Sequence, residues 1–298
     1  MSAQAGVKNV GFGQKNLDTV TEEIAGRDIS PAEAVSILLC DEVDHDELKL
    51  KRLRKVLDKS LEKGGQASVA PMVLRMLEWD GLEPQQEKSH GMRSAKTFPI
   101  FFTAFAAVRS YCSENADFFS MEELGAVLKA LTTLARKMWA ADDRVTGSMS
   151  MILNKELMDK REATSEIADV IGTLGLRQPF QAMAYAALDI PRDEMKHVDA
   201  VASMAWALAV ANIQLASLQI KVAKGVIAHI DKVTPPDIGM LFETMHEMKW
   251  FKDEDAIAYL TQALVARIQT LKQEDPGLAS MLAARTQEAQ EAEAQDGA

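Results

Sequence analysis

The chain has 298 residues, 47% of them hydrophobic and 26% charged, with a formal net charge of −11. That composition is typical of globular chains, and the length allows one or two compact domains or one elongated array. The acid excess argues against autonomous binding to nucleic acid, where phosphate neutralisation supplies most of the affinity, and no apolar run approaches the ~18 residues that span a bilayer.

Met1 to Ser30 contains glycines and few apolar residues, and residues 1–29 are expected to be a flexible lead-in. Acidic Asp18, Glu22 and Glu23 stand among its few basic residues, unlike an Arg-rich transit peptide, and no secretory apolar segment is visible. Either the protein stays in the cytosol or the chain lacks a cleaved leader. Ser30-Pro31-Ala32-Glu33 is a helix start, with a capping box and a proline suited to the first turn. That helix should run to about Val43.

A second helix, from about residue 46 to Lys63, is capped by Asp44 or Asp46 and ended by Gly64-Gly65. Leu50, Leu53, Leu57 and Leu61 recur at helical spacing and should face the core. Lys49, Arg52, Lys55, Lys59 and Lys63 fall on another side. They form either a solvated face, partly neutralised by Glu47, Asp58 and Glu62, or a contact to RNA phosphate or an acidic partner.

A helix from Ser68 to Trp79 follows, then a polar loop over residues 82–91. Residues 94–112 carry Phe98, Phe101, Phe102 and Phe105 and should form a strongly buried helix, with Pro99 tolerated only near its first turn. The two cysteines, Cys40 and Cys112, sit on apolar helical stretches without partners at metal-ligand spacing. They are expected to be buried thiols in a reducing compartment.

From residue 116 the chain becomes periodic. Leu124-Gly125-Ala126-Val127-Leu128-Lys129-Ala130-Leu131 has the pattern apolar, small, any, apolar, apolar, any, any, apolar. The pattern returns from Ile167, Val201 and Ile238, at spacings of 43, 34 and 37 residues, among the periods of helical-hairpin arrays. Each copy should be the first helix of a hairpin. The partner helices are expected at residues 144–158, 179–188, 216–232 and 253–271. The second pattern position is small (Gly125, Ala168, Ala202, Gly239), which should let a facing helix come close. Positions three, six and seven should include the exposed ones. Residues 276–298 are expected to form an acidic helix or tail. Residues 251–298 carry four basic and nine acidic side chains, so nearly half of the net charge lies there.

Met72, Met76, Met204, Met240, Met245 and Met248 fit core spacing, as adaptable fillers or else as a partner surface. Trp79, Trp139 and Trp250 each precede an acidic residue or cluster, where packing of a turn is the favoured reading and base stacking the weaker one.

The run Val201-Ala202-Ser203-Met204-Ala205-Trp206-Ala207-Leu208-Ala209 resembles the recurring helix of octotricopeptide and heptatricopeptide repeats. Similar repeats precede the RAP domain of FAST-kinase-like mitochondrial proteins. The resemblance covers roughly residues 122–271; Gly172 and Glu243 stand where Trp206 stands, and no RAP domain is evident. It implies an α-solenoid that binds organellar RNA or is built into organellar ribosomes, and a mitochondrial location.

No pair among His45, His90, His197, His229 and His246 has the three- or four-residue spacing of helix-borne metal ligands. There is no phosphate-binding glycine loop, nucleophile elbow or dinucleotide fingerprint. The expectation is therefore an all-α chain, an α-solenoid of stacked antiparallel hairpins. It is expected to be non-catalytic, without cofactor or metal, with its domains at 1–29, 30–115, 116–275 and 276–298. Its partners should be protein subunits of a larger complex and, as an alternative, RNA. Lys49, Arg52, Lys55, Lys59 and Lys63 are the contact residues; Gly125, Ala168, Ala202, Trp206 and Gly239 are the packing residues.

Overall fold

Side-chain caps set where several of the helices begin. In the computed structural model, the Glu33 amide donates to Ser30 Oγ and the Ser30 amide to the Glu33 carboxylate, at 3.2 and 3.4 Å. Ser120 and Glu123 repeat this box. The Lys49 amide donates to Asp46 Oδ1 at 2.9 Å, and the Thr234 amide to Asp237 at 3.0 Å. Each cap gives orphan first-turn donors a partner.

The structure describes residues 15–27, 29–40, 43–44, 46–79, 82, 91–140 and 167–274. Among them are twelve α-helices. The described residues are all-helical apart from connecting turns and a two-residue parallel pairing of β1 (Lys15–Asn16) with β2 (Val43–Asp44). The helices are α1 (Leu17–Gly26), α2 (Pro31–Cys40), α3 (Glu47–Gly64), α4 (Val69–Leu77), α5 (Gly91–Glu114) and α6 (Met121–Ala140). The chain continues through α7 (Ile167–Thr173), α8 (Arg177–Asp189), α9 (Val198–Val210), α10 (Ala216–Ala228), α11 (Pro235–Phe242) and α12 (Glu254–Glu274). The expected partner helix at 144–158 and the acidic tail at 276–298 lie outside the described residues.

The chain divides into two compact units. The first contains residues 1–114, 133–166 and 173–175; the second contains 115–132, 167–172 and 176–298.

In the first unit α3 packs against α1 and α5, and α2 against α4. Trp79 is buried there, edge-on to Phe98 at 4.9 Å and stacked on Phe101 at 5.0 Å. Such ring pairs add about 0.5–1.5 kcal/mol each beyond area burial. Two expectations change in this unit. Residues 17–26 are not a flexible lead-in. Asn16 caps α1, and Leu17, Val20, Thr21 and Ile24 bury one face of it, the i, i+3, i+4, i+7 spacing of an amphipathic helix. Pro99 is not in the first turn of its helix: α5 begins at Gly91 and carries Pro99 in its interior, at the cost of one backbone hydrogen bond.

In the second unit α9 packs against both α10 and α11, and α10 against both α8 and α12. Pattern positions four, five and eight are buried in every copy except Phe242, which is half-buried. Positions three, six and seven depart from expectation in α9, where Ser203, Trp206 and Ala207 are all buried. The reason is the sequence of α9 itself: Val-Asp-Ala-Val-Ala-Ser-Met-Ala-Trp-Ala-Leu-Ala-Val has no polar face, and a helix apolar all round is a buried one. Asp199 is its one exposed residue.

Long cations close two helix ends in this unit. Lys221 Nζ on α10 donates to the carbonyls of Ala187 (3.0 Å), Leu188 (2.8 Å) and Ile190 at the C-terminus of α8. Arg267 Nε on α12 donates to the Val233 carbonyl at 3.2 Å, just beyond α10. The first places positive charge at the negative end of the α8 dipole; the second ties α12 to the turn that follows α10. Burial pushes the Lys221 ammonium below its ordinary range; Asp189 opposes that shift and Arg192 adds to it.

Candidate interaction helix

Helix α3 carries seven basic and three acidic side chains, a net of +4 on a chain of −11. Its inner face is Leu53, Leu57 and Leu61, all fully buried, while Leu50 is only half-buried. At ~100° per residue, Lys55 and Lys59 lie within about 20° of the direction opposite those leucines. Arg52 and Lys63 flank them, and all four are exposed. Lys49 does not belong with them. It lies only about 80° from the buried face by the same geometry, its side chain is 19% exposed, and its ammonium is 3.9 Å from Asp46.

The carboxylates nearby are distributed unevenly. Lys51 pairs with Glu47 at 2.7 Å, Arg54 with Asp58 at 2.7 Å, and Arg52 with Asp18 of α1 at 3.2 Å. Among the described residues, Lys55 and Lys59 form no ion pair. The Lys49 amide holds the Asp46 carboxyl below its usual range, and the hydrogen bond from Lys51 does the same for Glu47. Those pairs are at the N-terminal end of α3; further along, Lys55 and Lys59 are the unpaired cations among the described residues, with the exposed Glu62 beside them. Lys55, Lys59 and Lys63 are four residues apart, about 6 Å along the axis.

Leu48 was absent from the expected contact set. It is 59% exposed, and it points the same way as Lys55 and Lys59. A helical wheel drawn from the sequence finds it, because residues 48, 55 and 59 share one face.

The expected packing residues separate into different environments. A side chain on Gly125 would meet the backbone of Ala200, with its Cβ 2.6 Å from the Ala200 Cα. Ala202 and Trp206 are buried and Ala168 is half-buried. Gly239 is a correction: it is exposed, and a Cβ there would meet nothing within 4 Å. No helix comes close at that position.

Trp250 is fully buried, and its Nε1 donates to the Ile213 carbonyl at 2.7 Å; its ring packs a turn and is not presented to a base. His197 Nδ1 lies 2.9 Å from Glu122 and its Nε2 3.8 Å from Glu194. His246 stacks on Phe242 at 5.6 Å. Among the described residues no group of three His, Cys, Asp or Glu side chains converges on a metal position, and no helix is long and apolar enough to cross a membrane. Comparison with family models, curated proteins and solved structures gave no match.

Proposed function

We propose that this chain is a non-catalytic scaffold, an α-solenoid of stacked antiparallel hairpins that serves as a subunit of a larger assembly. The observation that carries the reading is a shared register. Ser203 and Met240 both occupy the third pattern position and are neighbours in space, so successive copies stack like on like, as repeat arrays do. The resemblance of Val201–Ala209 to organellar hairpin repeats favours an organellar RNA–protein complex such as the mitochondrial ribosome as that assembly. Native purification followed by size exclusion tests it. The expected result is co-elution with a fixed set of subunits well above the mass of the chain. A lone monomer from every compartment sampled would reject the proposal.

A second reading, free-standing binding of single-stranded RNA, is favoured by unpaired Lys55 and Lys59. It gains nothing from a concave array face, because α9 exposes only Asp199. Titration with RNA at two salt concentrations decides it. Phosphate contacts lower affinity log-linearly with salt, so an absence of binding at about 0.15 M removes this option. Protein–protein adaptor function is the remaining form of the scaffold reading; the identity of the co-eluting subunits distinguishes it.

A further inference from the structure

We propose that the outward face of α3 holds an acidic helical segment of a partner protein. On that segment, carboxylates four residues apart meet Lys55 and Lys59, and one apolar side chain covers Leu48. The inference rests on the scaffold reading and names the chemistry of one docking surface. Three observations select this occupant.

The first is charge. Lys55 and Lys59 are exposed and without carboxylate partners among the described residues, whereas the cations nearer the start of α3 are paired within the fold. Their four-residue spacing repeats that of one face of another helix, so two helices side by side can match charge to charge.

The second is Leu48. A 59% exposed leucine in line with a lysine row adds nothing to a phosphate contact. It suits an interface in which an apolar anchor is buried beside a polar rim.

The third weighs against the main competitor. α3 contains no aromatic residue, so it offers no platform for stacked bases, on which sequence-tolerant binding of single strands depends. A long polyanion would also meet the field of a chain with net charge −11. A short acidic segment meets mainly Lys55 and Lys59.

The test uses the full chain and fluorescence anisotropy. One probe is a labelled peptide with glutamate at every fourth position over three turns and a leucine seven residues before the first glutamate. Its controls are a scrambled peptide of equal charge and an oligouridine of similar length. The ordered peptide should bind at least tenfold more tightly than either control at about 0.15 M salt. Lys55→Glu with Lys59→Glu should weaken it at least tenfold, and Leu48→Ser about threefold or more. Lys55→Gln with Lys59→Gln, which removes charge without reversing it, should give an intermediate loss. Unchanged helical circular dichroism in every variant ties these losses to the surface.

Equal binding of the scrambled peptide, tighter binding of oligouridine, or no binding of the ordered peptide each overturns the proposal. Those failures leave co-elution with a larger assembly untouched, whereas a monomer in the size-exclusion test overturns the scaffold reading itself.

Discussion

Ser203 Oγ lies 4.0 Å from Met240 Sδ, and the 37 residues between them equal the spacing of the pattern copies that begin at Val201 and Ile238. Trp250 Nε1 and its acceptor Ile213 are also 37 apart. On the second helices the separations are smaller: the Lys252 amide donates to Gln219, 33 residues earlier, and Arg267 to Val233, 34 residues earlier. Two contacts with nearly equal offsets, their donors 15 residues apart and their acceptors 14, place the segment from Gln219 to Val233 beside that from Lys252 to Arg267, running in the same direction. The period seen in the residues is therefore a distance in space within the second unit.

The glycines of the pattern should behave in opposite ways. Gly125→Val places a side chain into the Ala200 backbone, which cannot move aside without shifting α9. It should destabilise by about 1–3 kcal/mol, toward the upper end, a fall in Tm of about 2–4 °C per kcal/mol. Gly239→Ala enters open space within a helix and removes excess unfolded-state freedom. It should stabilise by about 0.4–1 kcal/mol. Thermal melts of the two variants check both signs; destabilisation by the alanine would restore a packing role for Gly239.

Lys221→Met keeps the length of the side chain and removes three donors from carbonyls at the end of α8. Charged hydrogen bonds contribute about 1.5–3 kcal/mol each, but their burial cost offsets part of that. A net loss of about 1–3 kcal/mol is expected. Urea denaturation should show a lower midpoint at unchanged slope, because the surface exposed on unfolding is the same.

Much of this fold was legible before any coordinates. Capping pairs such as Ser30 with Glu33 and Ser120 with Glu123 are short-range chemistry, and the pattern from residue 124 onward encodes which positions are buried. What was not legible depends on neighbours. Leu17, Val20 and Ile24 look sparse until α3 supplies the surface they cover. Gly125 and Gly239 occupy the same pattern position, yet only one faces a helix. The stripe on α3 was visible as a set of residues. Which members are paired was not, because Asp18, the partner of Arg52, is 34 residues away.

Trp250→Phe tests the turn that leads into α12. Phenylalanine fills most of the cavity but cannot donate to the Ile213 carbonyl, 2.7 Å from the indole nitrogen. An unsatisfied buried acceptor costs about 1–3 kcal/mol. The variant should unfold at correspondingly lower denaturant while keeping its far-ultraviolet circular dichroism. An unchanged midpoint would mean that water or another donor replaces the indole.

Cys112 gives the fold an alkaline limit. The thiol is fully buried in α5, and burial pushes its pKa up from 9.0 to about 12. Between those values the unfolded chain has released the proton and the folded chain retains it. The unfolded state then binds fewer protons, so stability falls as pH rises. The slope approaches about 1.4 kcal/mol per pH unit once pH is well above the unfolded value. Below that value the group imposes no penalty. Cys112→Ala removes the titration at the cost of a small, pH-independent cavity term. Plotted from pH 8 to about 11, unfolding free energies should therefore converge, wild type falling toward the variant. Parallel curves would show that the thiol ionises in the folded protein as readily as in the unfolded chain, and a thiol reagent should then modify native Cys112 at the rate of an exposed cysteine.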